Sequence, residues 1–159
     1  ADTGTSTPAL SVGTYLSKAR AVVTAAQDML PNEVLIEFTN GSYSAASLAH
    51  KGSGIMIYGF ADNAALPKLV SPALVASSDL KLGETALALS NEGIASTGIV
   101  ARVSDKGVQT TLPNIGIGSV AVNLAGNLIG ISLGETPGLL VGAEEIVALL
   151  AATSTSAVR

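Results

Sequence analysis

The chain has 159 residues, a net charge of −4, one histidine and no cysteine. The absence of a basic cluster argues against nucleic acid and anionic lipid surfaces as partners, since both need grouped Lys and Arg. The absence of thiols excludes disulfides, thiolate metal sites and a cysteine nucleophile, and a lone imidazole cannot build a histidine-rich metal site, so no cofactor is expected.

Residues 1–10, ADTGTSTPAL, read as a flexible leader. Residues 1–12 lack a basic start and an apolar block, so no signal peptide is expected there. Asp2-Thr3-Gly4-Thr5 spells the loop of an aspartic protease, but that chemistry needs two carboxylates sharing a proton and an apolar strand before each. Only Ala1 precedes Asp2. From Ser11 onward, strand follows strand. TYL (14–16), AVVTAA (21–26) and EVLIEFT (33–39) come first, and Asn40-Gly41 then gives a strong hairpin signal. SYSAASLA (42–49) returns, and GIMIYGF (54–60) is a short apolar run that suits a buried strand. His50 falls between these two as a loop residue open to water.

Residues 61–80 carry Pro67 and Pro72 and read as a connector between two halves. Strands resume with ETALALS (84–90), IASTGIVARVS (94–104), VQTTL (108–112), VAVNL (120–124) and NLIGISL (127–133). The uncharged run Gly107–Gly134 is 28 residues long, enough for a bilayer by length alone. Pro113, three asparagines and several glycines break it into strands and turns, so no membrane insertion is expected. Those glycines lack the Lys-Ser/Thr or strand-to-helix setting of a phosphate cradle. GAEEIVALLAA (142–152) changes to a helical period, with Glu144 and Glu145 in its first turn. The expected architecture is all-β, with two six-stranded antiparallel barrels. Its divisions are a first barrel over 11–68, connector and second barrel over 69–141, a C-terminal helix over 142–152 and a tail over 153–159.

The order of strands and turns resembles the trypsin-like serine proteases of the HtrA type (chymotrypsin fold). Gly13-Thr14-Tyr15-Leu16-Ser17 and Ala21-Val22-Val23-Thr24-Ala25-Ala26-Gln27 are similar to the strands leading to that family's catalytic histidine. Leu82-Gly83-Glu84-Thr85-Ala86-Leu87-Ala88-Leu89-Ser90-Asn91 and Thr97-Gly98-Ile99-Val100 resemble the start of its second barrel. Between those two segments the chain is several residues shorter than the family. Counting back from Asn123, Gly126 and Ile129-Gly130-Ile131 aligns Gly116-Ile117-Gly118-Ser119 with the nucleophile turn.

The resemblance implies a degenerate triad. Gln27 stands at the histidine, Gly54 at the aspartate and Ile117 at the serine, while Ile115 replaces a glycine of the oxyanion hole. An amide is no base, a glycine has no carboxylate, and an isoleucine has no nucleophilic atom. The expected function is a pseudoprotease that binds an extended peptide or protein, or serves as a structural or regulatory module. Its expected cleft is formed by Gln27, Gly54, Ile115, Ile117 and Ser119. An active hydrolase with relocated residues, such as Ser119 with His50, is the alternative, and a self-assembling surface protein is a third. Ser119 otherwise reads as an ordinary serine at the start of a strand. Family analogy points to a cell-envelope or extracellular setting, as a soluble fragment of a membrane-anchored chain.

Overall fold

In the computed structural model, the described residues are 11–69, 71–90 and 93–156, so the leader over 1–10 lies outside them. Five strands form the first half: β1 Thr14–Leu16, β2 Ala21–Ala25, β3 Glu33–Glu37, β4 Tyr43–Gly52 and β5 Ile55–Gly59. They lie in the order β1-β2-β5-β4-β3, all neighbours antiparallel. Six more strands follow: β6 Thr85–Leu89, β7 Ala95–Ser104, β8 Gly107–Thr110, β9 Val120–Val122, β10 Leu128–Ser132 and β11 Leu139–Gly142. These close into a barrel in the order β10-β11-β8-β7-β6-β9. Helix α1, Ala143–Ser156, ends the described chain.

Sequence patterns explain the layering. β2 and β10 are apolar apart from Thr24 and Ser132, and all five residues of each are buried. β3 alternates exposed and half-buried residues, the record of a strand with one face in water. The ten-residue strands β4 and β7 are bent by register shifts at Leu48/His50 and Val100/Arg102, which lets one strand serve both curved ends of its sheet.

The core falls into three clusters. One fills the second barrel with Ala86, Val100, Val108, Ile115, Ile129 and Leu140 among others. Another lies under the first sheet around Val22, Phe38, Met56, Tyr58 and Phe60. The third joins the halves: Leu16, Val23, Ile55 and Ile57 meet Leu128 and Ile131 of β10 and Ile146 of α1. Every aromatic ring in the sequence belongs to the first half. Tyr15 packs edge-on against Phe38 at 5.2 Å and Phe60 at 6.1 Å, geometry worth about 0.5–1.5 kcal/mol per pair beyond area.

The connector is tied to the second half. Leu128 N–H donates to the Ala73 carbonyl at 2.7 Å and Val75 N–H to the Leu128 carbonyl at 3.0 Å, a short parallel bridge. Ser77 then opens a one-turn 3-10 helix, Ser77–Asp79, and its N–H and hydroxyl both donate to the Glu144 carboxylate.

Four expectations need correction. Among the described residues the first half is a five-stranded sheet, not a closed six-stranded barrel. His50 is in β4 opposite Ile57, half-buried rather than in an open loop, because that strand runs on to Gly52 and turns at Ser53-Gly54. Leu139–Gly142 forms a strand, β11, whose last residue abuts the helix with no turn between. The helix itself starts at Ala143 and runs to Ser156, so most of the expected tail is helical.

Candidate functional site

Three chain segments meet where the halves touch: the end of β2, the β4–β5 turn, and the turn before β9. Thr24, buried in β2, donates its hydroxyl to the Val12 carbonyl at 2.5 Å. Three residues on, the Gln27 amide donates to the Ser11 hydroxyl at 2.7 Å. Between them, Ala26 N–H donates to the Gly54 carbonyl at 2.7 Å. Gln27 and Gly54 are thus neighbours by way of one backbone hydrogen bond.

Gly54 is the second residue of a two-residue hairpin turn with positive φ at both positions, +53° at Ser53 and +78° at Gly54. A Cβ built on Gly54 would stand 2.7 Å from Leu133 Cδ1. The place of a first side-chain carbon here is therefore taken by a leucine from the second half. One residue further, Gly134 lies against the Ile117 side chain so closely that a Cβ on Gly134 would overlap Ile117 Cγ1.

The turn carrying Ile117 is shaped by its flanks. Asn114 Oδ1 accepts the Gly116 N–H at 3.0 Å, an Asx turn. Gly116 and Gly118 both have positive φ, and Gly118 N–H donates to the Ser132 carbonyl at 2.9 Å. Gly118 abuts the first half: a Cβ there would stand 2.5 Å from the Val12 carbonyl oxygen and 3.0 Å from Thr24 Oγ1. A circuit of contacts therefore links Gln27, Ser11, Thr24, Gly118, Ile117, Gly134, Leu133, Gly54 and Ala26.

The other two expected cleft residues lie differently. Ile115 is 3% exposed and packs in the second-barrel core. Ser119 is 1% exposed, and its Oγ has no hydrogen-bond partner among the described residues. His50 does not reach that hydroxyl. Ile117 itself is 44% exposed. Within the circuit, Gln27, Gly54 and Ile117 are joined through its intermediate residues rather than by direct side-chain contact. The sequence reading missed Leu133, Gly134 and Ser11, which complete the patch; their one signal was the Leu-Gly pair closing the β10 run.

Electrostatics are mild. Burial raises the Tyr58 phenol above its ordinary value, and its hydroxyl donates to the Pro31 carbonyl at 2.7 Å. Burial also pushes the Glu144 carboxyl up, but hydrogen bonds from the Ser77 hydroxyl and nearby backbone N–H groups outweigh it and hold the group below its ordinary value. Among the described residues, no three His, Cys, Asp or Glu side chains gather as metal ligands. None of the described helices is long and apolar enough to cross a membrane.

The fold is trypsin-like: strands of two halves, one a closed six-stranded barrel, followed by a C-terminal helix. Among solved structures, the chain is similar to the HtrA-type protease AlgW, determined with a decapeptide, at a TM-score of 0.69 and 16% identity. The likeness covers 90% of this chain and 51% of that one, so this chain spans about half of the protease's length. No protein-family model matches the sequence, and no curated protein matches it.

Proposed function

We propose that this chain is a non-catalytic trypsin-like domain that works by holding a polypeptide partner. The observation that carries the reading is the packing of Leu133 over Gly54. Acyl transfer on this fold needs a carboxylate to orient a base, and Gly54 carries none, with the tip of Leu133 lying against it from the second half. Gln27 and Ile117 complete the same contact circuit without a base or a nucleophile. The orphaned Ser119 hydroxyl supports the rival reading of a relocated hydrolase, but no imidazole or carboxylate is hydrogen-bonded to it.

The test is incubation of the purified chain with a fluorophosphonate probe and with unfolded casein. The expected result is no covalent adduct by mass spectrometry and intact casein. Labelling of any serine would overturn the proposal, and labelling at Ser119 would install the rival.

A further inference from the structure

The edges of the first sheet, β1 and β3, face each other across an open seam of about 1070 Å³. Its apolar floor includes Tyr15, Val22, Val34, Ile36, Phe38 and Tyr58. Typical small-molecule pockets hold about 300–1000 Å³. A slot of this size between two strand edges is shaped for a length of chain.

The polarity of the β3 edge follows from its ends. Leu48 N–H donates to the Asn32 carbonyl at 2.6 Å, and Phe38 N–H to the Ser42 carbonyl at 2.8 Å. Inward and outward groups alternate along an antiparallel strand. Val34 and Ile36 therefore spend their backbone groups on β4, while Glu33, Leu35 and Glu37 turn theirs outward into the seam. None of these outward groups has a backbone partner among the described residues. The same three side chains stand exposed on the sheet's outer face, Leu35 at 68%.

Charge selects the occupant. A second copy pairing antiparallel about Leu35 would set Glu33 directly opposite the second copy's Glu37, a destabilising like-charge pair. The chain's own residues 1–10 carry one charge, Asp2, and no basic residue. We propose that the seam takes one extended strand of a partner protein by adding it to β3, with Lys or Arg opposite Glu33 and Glu37 and small branched apolar residues over Val34 and Ile36. This deepens the binding half of the reading above, and fixes its partner as basic-apolar in alternation.

The test is fluorescence anisotropy at low salt with the labelled, end-blocked peptide Ser-Lys-Val-Thr-Val-Lys-Ser and its Glu-for-Lys counterpart. Saturable binding of the basic probe is expected, weakened roughly tenfold in the E33K/E37K double variant, which should instead prefer the acidic probe. Both positions are exposed, so circular dichroism should show an unchanged fold. No saturable binding, or equal binding of both probes, would overturn the proposal. So would a concentration-dependent dimer tightened by E33K, which would set a lysine opposite the second copy's Glu37, or Leu35 amide protection in the free chain that disappears when residues 1–10 are deleted. A fluorophosphonate adduct alongside probe binding would sink the non-catalytic reading and leave the seam standing.

Discussion

Leu133 Cδ1 lies 2.7 Å from where a Cβ on Gly54 would be, so the two residues pack as a knob in a side-chain-free hole. Gly54→Asp would restore the carboxylate that the family resemblance calls for. It would also clash with Leu133 and strain a turn at φ +78°. We expect a loss of about 1–2 kcal/mol, mostly from the left-handed backbone, with a smaller part from displacing the leucine tip. Urea unfolding should show it, and Leu133→Ala in the G54D background should recover part of the loss despite deleting apolar volume. A neutral G54D would mean that the leucine is not packed there.

Gly118 tests the contact between the halves. Its φ of +81° equals that of Gly126, but Gly126 has nothing within 4 Å of its absent Cβ, whereas Gly118 faces the Val12 carbonyl at 2.5 Å. Gly126→Ala should cost about 1 kcal/mol through backbone conformation alone. Gly118→Ala should cost about 2 kcal/mol more, because backbone cannot yield as a side-chain tip can. Equal losses in thermal unfolding would refute the close approach.

Ser119 is the reverse case. Its hydroxyl is buried and unpartnered, so Ser119→Ala removes a desolvated group at little packing loss. Stability should rise, by roughly 1 kcal/mol. A marked fall would expose a hidden partner for the hydroxyl, and with it a reason to revisit hydrolase chemistry.

Glu144 links the helix start to the connector through Ser77. Its carboxyl is held below the ordinary value of 4.5, so the unfolded chain binds the proton more tightly. The stabilisation is therefore full above about pH 4.5 and is lost as pH falls through the lower folded value. Glu144→Gln should cost roughly 0.5–1 kcal/mol at pH 7, the scale for a charge at a helix start. The gap from wild type should narrow in acid. A gap independent of pH would show that the charge contributes nothing.

Most strands could be read from the sequence because their burial periods were clean. β2 is apolar but for Thr24, β3 alternates, and Asn40-Gly41 marks the hairpin between β3 and β4. The misses share a physical cause: a boundary without punctuation. β11 runs into α1 at Gly142-Ala143 with no turn residue between, so the strand was not separated from the helix expected from Gly142. β4 continues through His50 and Lys51 because one face of that strand is open to water and tolerates polar side chains, and polarity alone suggested a loop. In the site, Gln27, Gly54 and Ile117 were counted along the chain from the family pattern. Leu133 and Ser11 could not be, because what they touch is set by the meeting of two halves distant in sequence.

The helix packs against strands that lie far before it in the sequence. Ile146 shares a core with Leu16, Val23, Ile55 and Ile57, and Glu145 accepts a bond from Ser53 at 2.8 Å. A ribosome delivers those first-half strands long before the residues that cover them. The first-half sheet must therefore wait, partly unroofed, for a helix made well after it, and a message broken off between the two would leave the older surface as the sticky one.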